Sequence, residues 1–152
     1  MTKPEPQWYD DVVIPALIRS ARRTYAGAIH RALVEAGCDD MPRNGPFVVG
    51  AIARNGSGLG DIIATMGLSK QRGGQLVDTL VARGYLERAT DPDDRRRLTV
   101  TLTERGRLAA ASGRSAVEAV DADLVARVGV DAIAHMRRTL AALIDAGVDY
   151  DQ

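Results

Sequence analysis

The sequence predicts a mainly α-helical fold that carries one small β-hairpin. Three observations predict it. Apolar residues recur every three or four positions over most of the chain, which is the period of a helix with one buried face. Strict alternation is confined to two short stretches, 85–89 and 98–102, separated by a polar turn. Glycines stand just beyond successive periodic runs, where a helix closes most easily.

Taken in order, Ile14, Leu17, Ala21, Tyr25, Ile29 and Leu33 form the stripe of a first helix, with Pro15 in its opening turn and Gly37 at its end. Asn44 reads as the N-cap of a short buried helix containing Pro46, Phe47, Val48, Gly50, Ala51 and Ile52, which Asn55-Gly56-Ser57-Gly58 breaks. Leu59 to Met66 make two turns with Ile62, Ile63 and Met66 inward, closed by Gly67. Ser69 then caps a helix whose inward positions are Leu76, Val77, Leu80 and Val81 and which Gly84 stops. Two short helices joined by a glycine-containing turn outline a helix-turn-helix.

The strands Tyr85–Ala89 and Leu98–Leu102 follow, joined by the charged tip Thr90–Arg97, and Leu98, Val100 and Leu102 share the face that packs on the helices. After Thr103 the helical period returns with Leu108, Ala116, Val120 and Leu124, Ser112 filling the gap, and pauses at Val128-Gly129. Ile133, Met136, Leu140 and Leu143 mark a last helix that Gly147 is expected to end.

Composition narrows the function classes. A chain of 152 residues that is 45% apolar is expected to be one domain. No run approaches the roughly 20 apolar residues of a membrane span, and the first ten residues carry no signal-peptide core, so a cytoplasmic protein without a membrane partner is expected. One cysteine, Cys38, allows neither an internal disulfide nor a thiolate cage, and His30 and His135 are the only imidazoles, so neither metal nor cofactor is expected. Twenty basic residues balance twenty acidic ones. From Ser69 to Arg97, however, seven basic residues face five acids, whereas from Thr101 onward six face eight.

The segment Leu59 to Gly106, and above all LVARGYLER followed by DPDDRRRLTVTLTERG, resembles the MarR (multiple antibiotic resistance regulator) family. The resemblance implies a winged helix-turn-helix spanning 44–103 as a DNA-binding lobe, with dimerisation helices at 10–36 and 104–147, all within a single domain 1–152. It also implies a homodimer that binds double-stranded DNA and usually represses nearby genes until a small-molecule effector or an oxidant releases it.

On that reading the second helix of the pair enters the major groove, where its N-terminal side chains reach base edges. Gln71, Arg72 and Gln75 are the expected base readers, while Ser69 and Lys70 are expected on the phosphate backbone. The bland alternative is a solvated polar face. In the family the wing arginine enters the minor groove; Arg96 matches that position, flanked by Arg95 and Arg97, and an Arg96 ion pair with Asp94 is the structural alternative. Asp78 and Arg88, with Asp94, are expected to brace the wing. Gly73 and Gly74 depart from the family pattern, so the helix is either soft until DNA orders it or open to close approach by phosphates.

Ligand contacts are expected at Tyr25, His30 and Phe47, with ordinary packing as the alternative reading of each. Asp39 and Asp40 follow Cys38 directly and argue against a reactive thiolate. An enzyme is not expected, because the dense acids Asp91, Asp93 and Asp94 sit on a solvated turn rather than in a cleft. A winged-helix module that binds protein instead of DNA is the rival.

Overall fold

The computed structural model describes residues 7–55, 58–90 and 98–150. Among them, helix α1 (Ile14–Glu35) starts with proline in its first turn, where a missing N–H breaks no intrahelical bond. It closes at Gly37, whose φ of 73° only glycine adopts without strain. Gly37 N–H donates to Val34 O (3.0 Å) and Cys38 N–H to Leu33 O (2.8 Å), the paired bonds of a Schellman turn. α2 (Gly45–Asn55) follows.

The same device recurs after α3 (Leu59–Thr65), at Gly67, and after α4 (Lys70–Ala82), at Gly84. In the last of these Gly84 N–H donates to Val81 O (3.0 Å) and Tyr85 N–H to Leu80 O (2.9 Å). The residue after the glycine is thereby folded back onto the helix it has left. That is why Cys38 meets the core beside Leu33 and Tyr85 beside Leu80, all four no more than 2% exposed.

Strands β1 (Leu86–Thr90) and β2 (Leu98–Leu102) pair antiparallel, with Leu86 opposite Leu102, Arg88 opposite Val100 and Thr90 opposite Leu98. The first strand begins one residue later than the alternation suggested, because Tyr85 belongs to the helix-closing turn. Two adjacent buried residues, Tyr85 and Leu86, are the result. Val48, Val49 and Ile52 of α2, Ile62 of α3, Val77 and Leu80 of α4, and Val100 of β2 complete the centre of the core.

Helices α5 (Glu104–Val128) and α6 (Val130–Tyr150) meet at Gly129, φ 82°. The chain divides into two compact units, 1–117 and 118–152, with the boundary inside α5. Two expectations are corrected here. The inward face at the start of α5 is Gly106, Ala109 and Ala110, and Leu108 is 49% exposed, because a backbone carbonyl lies against position 106 and admits only small residues on that side. Gly147 does not end α6, which continues through it; without a left-handed turn, glycine weakens a helix by about 1 kcal/mol but does not stop it. In α1 only Leu33 of the expected stripe is fully buried, and Ile14 is 64% exposed. In α6, Val130, Met136, Leu140, Leu143 and Ile144 are exposed as well.

Candidate nucleic-acid interface

Helices α3 and α4 are joined by Met66-Gly67-Leu68-Ser69. The two helices approach closely at Gly73. A Cβ there would fall 2.4 Å from Ile63 Cγ2, inside any tolerable contact, so a side chain at 73 would have to displace that of Ile63. The buried glycine that breaks the sequence pattern therefore has a packing reason in this chain, the room taken by Ile63. Gly74 is different, since a Cβ at that position meets nothing within 4 Å.

Ser69 Oγ accepts from the Arg72 N–H at 3.3 Å and caps α4, satisfying one of the donors that a helix start leaves unpaired. Ser69, Lys70, Gln71, Arg72 and Gln75 are all exposed. Gly73, Val77 and Leu80 are buried on the opposite side, so Gln71 and Gln75 project outward, one turn apart. Amide and guanidinium groups of this kind are those that form two hydrogen bonds to adenine and guanine edges.

The hairpin register places Arg88 on the same face as core-facing Val100. From there its guanidinium reaches α4 and forms an ion pair with Asp78. On the other face Thr101 Oγ1 donates to Glu87 at 3.3 Å. Asp94, Arg95, Arg96 and Arg97 lie outside the described residues.

Sequence reasoning missed a polar knot behind the helix-turn-helix. The Tyr85 hydroxyl donates to Asp40 Oδ1, and Arg105 Nη2 donates to the same oxygen at 2.9 Å. Arg105 also donates to the backbone carbonyls of Arg83 (2.6 Å) and Gly37 (3.2 Å), and its guanidinium lies 4.4 Å from the centre of the Tyr85 ring. Arg83 adds a bond to the Asp40 carbonyl. One cluster thus ties the turn after α1, the cap of α4 that feeds the wing, and the first turn of α5. Its members are widely separated in the chain, Asp40 lying 45 residues before Tyr85 and 65 before Arg105, so no periodicity links them. The available signal was the residue after Gly84, which a Schellman turn directs inward.

The Tyr85 hydrogen bond first, and the Arg105 and Arg83 charges with it, holds the Asp40 carboxyl below the usual aspartate value. Burial, followed by the bond to Asp40, pushes the Tyr85 phenol up. A carboxyl lowered in the folded state stabilises it above the unfolded value of about 4 and stops doing so as pH falls through the folded value. The Asp40→Asn variant should therefore be less stable than the parent at neutral pH, and the gap should narrow below about pH 4. Urea midpoints of both proteins at pH 7 and pH 3 test this, and a gap that stays constant would exclude a role for the charge. The pair is partly exposed, so added salt should shrink the difference too.

Of the residues considered for a ligand, Tyr25 and His30 lie on α1, half-buried and exposed respectively, and Phe47 on α2 is 46% exposed. The Cys38 thiol is buried, 3.8 Å from Ala36 O. His135 is exposed on α6, with Nδ1 2.8 Å from Asp131 O.

Comparison with known proteins adds to this geometry. The family model described as MarR family matches residues 40–97. A MarR-family transcriptional regulator from Rhodococcus sp. RHA1 is 27% identical, with 90% of this chain and 94% of that one covered, at a TM-score of 0.66. CouR from Rhodococcus jostii RHA1, solved bound to p-coumaroyl-CoA, is 29% identical over 91% of this chain and 95% of that one, TM-score 0.68. The MepR–DNA complex of S. aureus shares the fold at 16% identity, covering 90% and 98% of the two chains, TM-score 0.71. No curated protein matches. No helix among the described residues is long and apolar enough to cross a membrane.

Proposed function

We propose, from the MarR-family match over residues 40–97 and the fold shared with MarR-family regulators, that the chain is a DNA-binding transcriptional regulator of that family, a cytoplasmic homodimeric repressor that reads a pseudo-palindromic operator and releases it when a small molecule binds. The observation that carries the reading is the capped α4 presenting Gln71, Arg72 and Gln75 outward beside a wing root fixed by Asp78 and Arg88. Gln71, Arg72 and Gln75 read bases; Ser69 and Lys70 hold phosphates; Arg96, with Arg95 and Arg97, enters the minor groove. The reading assigns the chain no catalytic chemistry.

Dimerisation through helices 10–36 and 104–147 is supported by the apolar side chains they leave uncovered, Ile14 and Ile18 on α1 and Leu143 and Ile144 on α6. A two-fold dimer would set its recognition helices about 34 Å apart, one turn of DNA. An effector meeting Tyr25, His30 and Phe47 belongs to the same proposal, supported by the p-coumaroyl-CoA complex of a 29% identical relative.

The test is selection of genomic fragments by the purified protein. A shared pseudo-palindromic sequence is expected, and the Arg72→Ala variant should lose about 1–3 kcal/mol of discrimination at one base pair of each half-site. A chain that stays monomeric, or that retains no duplex at low salt, would sink the reading in favour of a protein-binding winged helix.

A further inference from the structure

Helix α4 carries one glycine that packing explains and one that it does not. Gly73 is enclosed by Ile63, whereas Gly74 is exposed and a methyl group there would touch nothing. A glycine inside a helix weakens it relative to alanine, so the free protein gains nothing from the missing side chain. Its position on the helix suggests what does. With about 100° between successive residues, Gln71 and Gln75 point away from the buried face, Arg72 lies on one flank and Gly74 on the other.

Lys70, Gly74 and Asp78, spaced four residues apart, form a single row along that flank. Asp78 would repel an anion at the end of the row, but Arg88 reaches across from β1 and pairs with it. The row thus runs from the Lys70 ammonium, over bare backbone, to a neutralised carboxylate. All three residues are exposed.

A helix with its side chains is about 10–12 Å across and fills a major groove about 12 Å wide, so its flanks pass against the sugar–phosphate strands. We propose that the Lys70–Gly74–Asp78 row, with Arg88 at its far end, is the seat of one strand's phosphate, and that Gly74 lets that strand touch the helix backbone. This deepens the DNA-reading proposal and rests on it. Phosphates carry no base identity, so the seat sets depth and affinity and leaves sequence preference to Gln71, Arg72 and Gln75.

The experiment compares the full-length protein with Gly74→Ala and Lys70→Gln on two duplexes, a selected genomic fragment and an unrelated sequence of equal length. Gly74→Ala should melt at a higher temperature and yet bind both duplexes on the order of tenfold more weakly, as expected when a strand is held off a single phosphate seat. Lys70→Gln should weaken both as well and make binding less steeply dependent on salt. The opposite result, a Gly74→Ala protein that binds more tightly because its helix is already ordered, would overturn the proposal, and so would unchanged affinity. Loss of binding to the selected fragment alone would make position 74 a base reader and overturn it too. If the parent protein binds neither duplex, the DNA reading fails first and the phosphate seat goes with it.

Discussion

Replacing Gly106 by alanine should destabilise the protein by about 3 kcal/mol or more, the upper end for an added methyl forced into a packed interior. The added Cβ would stand 2.0 Å from the Tyr85 carbonyl oxygen. That oxygen cannot swing away, because it accepts from Thr103 N–H at 3.2 Å and its residue is anchored through Leu80 O and Asp40. Thr103 holds the same junction from the other side: its hydroxyl accepts from Gly106 N–H at 3.0 Å and donates to the Gly84 carbonyl. To admit the methyl, α5 must retreat from the turn that starts the wing. Gly113 in the same helix is the control, since its Cβ would sit an ordinary 3.7 Å from Ile29 Cγ2, and Gly113→Ala should gain up to about 1 kcal/mol. Urea midpoints of the two variants should move in opposite directions. A Gly106→Ala protein as stable as its parent would mean that the Tyr85 carbonyl is not seated against α5.

Affinity for the selected operator should fall by about 10³- to 10⁵-fold between 50 and 200 mM salt, the range expected for roughly six to ten phosphate contacts. Five cations per protomer proposed to meet DNA, Lys70, Arg72, Arg95, Arg96 and Arg97, place a dimer within that range. The net charge of zero makes the outcome informative, because no general basicity of the chain would produce such a slope. It would have to come from a few residues gathered on one face. A plot of binding constant against salt measures it. A slope near zero on every duplex would remove the phosphate contacts and, with them, the assignment of α4 and the wing.

The fold was legible wherever local chemistry decides it. Ser69 announced the start of α4, and Gly37, Gly67 and Gly84 announced left-handed helix ends that the structure reproduces with φ between 64° and 73°. The extents of the two strands followed from alternation, with β2 where it was expected and β1 shifted by one residue. What stayed hidden depends on contacts between distant segments. Leu108 has the right spacing to be buried, but Tyr85 O takes the space beside α5 and reserves that face for Gly106 and Ala109. The knot of Asp40, Tyr85 and Arg105 joins three elements that share no period. In the site, the outward polar face of α4 could be read from its helical spacing, whereas the different reasons for Gly73 and Gly74 required neighbours to be in place.

Positions 63 and 73 share a single volume between two helices, so a side chain added at 73 has to displace the one at 63. A regulator built on this scaffold with a larger residue at 73 would have to shrink or turn the side chain at 63, or open the angle between α3 and α4. Altering that angle would re-aim the side chains proposed to read bases without touching any of them. Operator preference in such proteins can then drift through a pair of residues that never meet DNA.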